Sequence, residues 1–146
     1  MDRPIDFLVQ AVTRGKSSRA HFLDVENLLG SGLVGIEQAS GLCLDYMKSV
    51  ECSEDDLFVV AAGPGNKAAV YGTWRGKNTI YKFQKGRDGA DQALLTIFDQ
   101  FEHLDMFEHI YVGSGDHSLA AIAEKSARFG IGVTVVTGKG ALSNTL

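Results

Sequence analysis

The sequence predicts an α/β fold built on a parallel sheet, and three observations predict it. Short runs rich in β-branched residues alternate with longer stretches of helical periodicity. No internal repeat, low-complexity tract or linker divides the chain. With 146 residues, 45% of them hydrophobic and 22% charged, the composition is that of an ordinary globular domain. A chain of this length buries roughly two-thirds of the surface its unfolded form exposes, so its core needs no metal or disulfide staple.

Residues 1–19 read as an N-terminal extension, with helical potential over residues 5–12 and a polar connector after it. Residues 20–146 form the domain. Strands are expected at residues 20–24 (AHFLD), 57–62 (LFVVAA), 79–83 (TIYKF), 109–112 (HIYV) and 133–136 (VTVV). Between them, residues 36–50 place Ile36, Ala39, Cys43, Met47 and Val50 on one helical stripe. A short helix follows Gly65. Residues 90–101 carry the clearest amphipathic pattern, with Ala90, Ala93, Leu94, Ile97, Phe98 and Phe101 on one face and Asp99 opposite. Residues 118–129 turn Leu119, Ile122, Ala123 and Ala127 inward before Gly130 stops the helix.

The net charge of −4 and the even spread of apolar residues exclude a disordered chain. They also speak against an indiscriminate nucleic-acid binder, although a local basic stripe can still serve one. No apolar stretch approaches the roughly 18 residues of a spanning helix, so no membrane association is expected, and Asp2, Arg3 and Asp6 spoil a signal peptide. Cys43 and Cys52 are therefore expected as reduced thiols in a cytoplasmic protein.

In open parallel sheets, ligands sit outside the carboxyl ends of the strands. Asp24 closes the first strand and Asp116 follows the fourth, so both reach the same rim. Asp91 lies in the first turn of the third helix, at the border of its apolar stripe, and faces that rim from the side. A helix-start preference explains Asp91 taken alone. Converging carboxylates repel, however, and are tolerated chiefly around a cation. Oxygen ligands suit magnesium or manganese, which activate water and neutralise charge developing on phosphorus.

The segment from Arg75 to Arg87 contains Arg75, Lys77, Lys82, Lys85 and Arg87 and no acid. With Trp74 and Tyr81 interleaved, it reads either as a track for a phosphate backbone with stacked bases or as a lysine-guarded edge strand with Tyr81 packed. Gly63-Pro64-Gly65-Asn66 has some features of a phosphate cradle, but Pro64 removes a donor, so a plain strand-to-helix turn is the better reading. His21, His103, His109 and His117 lack metal-ligand spacing and are read as structural or exposed. His117 adjoins Asp116 and is a candidate phosphate contact.

Three motifs occur in order: Asp24-Val25-Glu26-Asn27 after an apolar strand, Gly89-Ala90-Asp91-Gln92-Ala93-Leu94 opening a helix, and Val112-Gly113-Ser114-Gly115-Asp116 after another strand. Together they resemble an NYN domain, a branch of the PIN-like nuclease superfamily, over residues 20–146. The resemblance implies a Rossmann-like three-layer α/β/α fold with a central, mainly parallel five-stranded sheet. It also implies a ribonuclease in which Asp24, Asp91 and Asp116 hold magnesium or manganese. Asn27 would orient Asp24 or contact substrate, and Ser114 and Gly115 would shape the loop around Asp116. Ser118 stands where the family commonly has a further acid, and Glu26 reads either as a compensating acid from the first loop or, by a small preference, as a solvated loop residue. The sequence ends at Leu146, where the family usually continues into a closing helix.

The expectation is thus a magnesium- or manganese-dependent endoribonuclease, cleaving RNA with a metal-activated water. Lys82, Lys85, Arg87, Ser114 and His117 are its candidate substrate contacts. A silent domain of the same fold that binds RNA or a protein partner is the alternative, kept open by Ser118. A phosphoacceptor or phosphatase ranks lower, because no Asp-x-Asp follows the first strand and no aspartate ends the third. A homodimer is expected only from the prevalence of two-fold assemblies.

Overall fold

The computed structural model describes residues 19–53, 55–74, 78–86, 88–101 and 106–138, with the side chains of Asp116 and His117 outside that description. Five parallel strands form the sheet: β1 (Arg19–Asp24), β2 (Leu57–Ala62), β3 (Thr79–Phe83), β4 (His109–Gly113) and β5 (Gly132–Val135), in the order β3-β2-β1-β4-β5. Helices α1 (Val25–Leu29), α2 (Ile36–Ser49), α3 (Lys67–Val70), α4 (Gly89–Asp99) and α5 (Asp116–Arg128) connect them, with a 3-10 turn at Pro64–Asn66. Of the expected N-terminal extension, residues 1–18 lie outside the described residues, and Arg19 already belongs to β1.

β1 is central. It runs beside β2 from Ala20↔Leu57 to Asp24↔Ala61, and beside β4 from Arg19↔His109 to Leu23↔Gly113. Every residue of β2 is buried, which is why it reads as an unbroken apolar run rather than an alternating one. The edge strands β3 and β5 are only partly covered, and Lys82 points into solvent from β3. A lysine on an open strand edge discourages pairing with another chain.

The sheet separates two apolar clusters, giving three layers. On one face Phe22, Val59, Ile110 and Val112 meet Leu94 and Phe98 of α4 and Ile122 of α5. On the other, Leu23, Phe58 and Val60 pack with Leu28 of α1, Tyr46 of α2 and Trp74. The α4 stripe is buried as its periodicity predicts, from Ala90 to Phe98, with Phe101 just beyond.

Two stripes differ from expectation. In α2 the buried residues are Ala39 and Tyr46, with Leu42 and Cys43 packed beside them, while Ile36 and Met47 are 66% and 39% exposed. The face is rotated because the Tyr46 hydroxyl is drawn inward to His21, at 2.6 Å from its Nδ1. In α5, Ile122 is buried but Ala127 is exposed, and Ser118 and Ser126 take inward positions. Helix α1 has no sequence signal of its own because five residues are too few to display a period. Asp24 caps its start and Gly30, at φ 70°, ends it.

Candidate functional site

Because all five strands are parallel, their carboxyl ends share one rim. The chain moves outward from β1 through β2 to β3, then crosses back to β4 on the other side of β1. That reversal places the topological switch point between β1 and β4, where such sheets bind ligands. Asp24 is the last residue of β1, and β4 ends in Gly113 before Ser114 and Gly115 lead into α5. A Cβ on Gly113 would lie 3.0 Å from Leu28, so glycine is what lets the end of β4 close against α1.

Asp24 is 7% exposed, and its Oδ1 accepts the Asn27 backbone N–H at 3.1 Å. Asn27 therefore orients Asp24 through its main chain, while its side chain faces the solvent-filled cleft. Burial, with the negative charges of Glu26 and Asp91 adding to it and the Asn27 hydrogen bond opposing it, raises the Asp24 carboxyl to about 6. The cleft beside it encloses about 290 Å³. Its walls are the Asp24–Gly32 segment on one side and Asp88, Gly89 and Ala90 on the other.

Asp88 was not expected in the site. It is exposed and lines the cleft at φ 62°, a left-handed conformation that aspartate tolerates better than most residues. The next residue must be glycine, because a Cβ on Gly89 would collide with the Gln84 carbonyl. The only sequence signal for Asp88 is that it shares a loop with Asp91.

Asp91 is 5% exposed and engaged from several directions. Its Oδ1 accepts the Ser114 hydroxyl at 2.7 Å, the Gly115 N–H at 3.1 Å and the Ser118 hydroxyl. Its Oδ2 accepts the Ser118 N–H at 3.3 Å. A carboxylate offers about four acceptor sites, so Asp91 spends most of its capacity tying α4 to the start of α5. The positive end of the α5 dipole favours its charge there. Ser118 is a fully buried donor to Asp91. A carboxylate in its place would repel Asp91.

Glu26 is not the solvated residue its loop position suggests. Its Oε2 accepts the Gly63 N–H at 2.7 Å and the Asn66 side-chain amide. The Gly63–Asn66 turn is thus an ordinary strand-to-helix turn whose donors are taken by an anion of the chain itself. Asn66 also donates to the Gly32 carbonyl at 3.0 Å and accepts the Val34 N–H at 3.1 Å, so one buried amide pins the cleft wall.

The remaining expected residues are dispersed. Ser114 is bound to Asp91, and Asp116 and His117 open α5 by their backbone. Lys82 and Lys85 are exposed on and just after the β3 edge, while Arg87, Arg75 and Lys77 lie outside the described residues. Trp74 and Tyr81 do not form a base-stacking surface. Trp74 is 1% exposed in the core, and Tyr81 packs against that core with its hydroxyl accepting the Trp74 backbone N–H at 2.7 Å. An indole and a phenol with this much apolar surface are drawn inward once β3 has an apolar cluster beside it.

Among the described residues, one group of three metal-ligating side chains has its donor atoms all within 4.8 Å of one another: His21, Cys52 and Asp56, away from the rim. Among the described residues no such group of three includes Asp24 or Asp91, and the expected third acid, Asp116, has its side chain outside the description. No described helix is long and apolar enough to cross a membrane. Comparison with protein-family models, curated proteins and solved structures finds no match to this chain.

Proposed function

We propose that this chain is a divalent-metal-dependent ribonuclease of the NYN type, with its centre at the carboxyl end of β1. The observation that carries the reading is Asp24. It is a buried carboxylate at the switch point, flanked by a polar cleft and raised to about 6 by burial and by neighbouring acids. An arrangement that disfavours a bare negative charge is one that a cation relieves.

The donor set fits a hard ion. Asp24 and Asp88 line the cleft, and magnesium or manganese is commonly held by one or two carboxylates, with waters and substrate phosphate completing the shell. When bound, the ion supplies Lewis acidity toward a phosphodiester and lowers the pKa of water. The chain's own residues do the rest. Asn27 fixes Asp24 through its backbone N–H, and Asp91 acts as a positioning residue, holding the Ser114–Ser118 turn that sets where Asp116 begins α5. Lys82 and Lys85 steer the phosphate backbone from the open edge, so affinity falls steeply with salt. The free thiols Cys43 and Cys52 suit a reducing cytoplasm.

The test is cleavage of a fluorogenic single-stranded RNA by the purified chain with magnesium or manganese. Metal-dependent cutting that Asp24→Asn and Asp116→Asn both abolish, with circular dichroism unchanged, supports the assignment. No cleavage by the wild type, together with no calorimetric metal binding that depends on Asp24, replaces it with a silent RNA- or protein-binding domain.

A further inference from the structure

The second group of ligating side chains lies where β1 and β2 begin, three residues before Asp24 along β1. His21 is fully buried and clamped between two rings, with Phe58 stacked at 4.4 Å and Tyr111 at 4.7 Å between centroids. Its Nε2 is 2.8 Å from Asp56 Oδ2 and its Nδ1 is 2.6 Å from the Tyr46 hydroxyl. Asp56 is 1% exposed at the entry to β2. Cys52, half-buried, sits four residues earlier in the same connection, so one loop carries both the thiol and the carboxylate toward the imidazole of the neighbouring strand.

We propose that His21, Cys52 and Asp56 form a zinc site that pins the α2–β2 connection to β1. Imidazole, thiolate and carboxylate are zinc's ordinary ligands, and a fourth position is left for water. Charge closes as well. One thiolate and one carboxylate balance a dication, so the ligated group is neutral in a buried setting. Arg19, 3.8 Å from Asp56, keeps two other acids in Glu51 at 3.6 Å and Glu108 at 3.4 Å.

In the metal-free chain Asp56 accepts from His21 Nε2–H, and Nδ1 accepts from Tyr46. On binding, Nε2 becomes the ligand and the imidazole proton moves to Nδ1, which then donates to the Tyr46 oxygen. That is the outer hydrogen bond a metal-bound histidine characteristically makes. The Cys52 thiol proton leaves to solvent. Two environments prepare this exchange. Burial lowers the His21 pKa, so the imidazole is neutral and able to ligate. Burial, with the Asp56 charge adding to it, pushes the Cys52 thiol up to about 12, so without a metal the sulfur keeps its proton.

The experiment uses the full chain, stripped with a chelator and titrated with cobalt(II) as a spectroscopic stand-in for zinc. The expected result is thiolate-to-cobalt charge-transfer absorption that saturates at one equivalent. Zinc bleaches it, Cys52→Ser abolishes it, and Cys43→Ser and Asp24→Asn leave it unchanged. Absence of the band, or a band that survives Cys52→Ser, overturns the site. Should Cys52→Ser not fold, the wild type decides the matter by alkylation mapped with mass spectrometry. Zinc should slow modification of Cys52 by about tenfold or more relative to Cys43, and equal rates overturn the proposal.

Discussion

Replacing Asp24 by Asn removes a buried charge while keeping the shape and the helix cap, since an Asn carbonyl oxygen accepts the Asn27 N–H as the carboxylate does. The unfolded chain releases the Asp24 proton near 3.8 and the native chain near 6. Between those values the native state holds more protons, so stability falls as pH rises through the window. Above it the whole penalty applies, and below it none. The difference corresponds to about 3 kcal/mol at about 1.4 kcal/mol per pH unit, an upper figure for a side chain that can relax. Asp24→Asn should therefore stabilise the metal-free chain at pH 8 by up to about 3 kcal/mol, or roughly 6–10 °C in Tm for a domain of this size. The gain should shrink toward zero at pH 4. Urea melts with chelator at both pH values measure it. Millimolar manganese should raise the midpoint of the wild type and leave the variant unmoved. A variant that is less stable than the wild type at pH 8, or equally shifted at both pH values, refutes the claim that Asp24 is held against its electrostatic preference.

Three further substitutions test neighbouring parts of the structure. Ser118→Ala should cost about 1.5–3 kcal/mol in urea melts by removing a buried hydrogen bond to a charged acceptor. Ser118→Asp should cost more, because it sets a second carboxylate against Asp91, and a neutral or stabilising result would show that Asp91 is not bound as described. For His21, burial holds the folded pKa below the ordinary 6.5, so the unfolded state takes up the proton first and stability drops as pH falls below about 6.5. This trend opposes that of Asp24, so it is read in the Asp24→Asn background with chelator present. Replacing His21 by Gln should flatten the acid limb between pH 6.5 and 5, and an unchanged limb would place the titrating group elsewhere.

The strands were legible to within a residue or two because each is a short apolar or β-branched run bounded by polar connectors, and that signal is local. The same locality revealed Asp24 and Asp91 as rim candidates, since a strand end and a first helical turn are both visible in the linear order. It misjudged residues whose character depends on a distant partner. The expected α2 stripe did not include Tyr46, whose hydroxyl finds its buried partner in His21, and Ile36 and Met47 were left outside as α2 turned to suit it. Glu26 looked solvated until a turn 37 residues onward offered it Gly63.

The sequence by itself therefore determined the layers, the parallel sheet and the rim on which the acids gather, because packing periodicity is written residue by residue along the chain. Only the tertiary structure decided what each polar group does. Asp91 became the clamp of the α5 start, Ser118 its donor, Asp88 a wall of the cleft, and His21, Cys52 and Asp56 neighbours within 4.8 Å. A buried polar atom must find a partner wherever the folded loops provide one, and which loops meet is set by how the strands are ordered in the sheet.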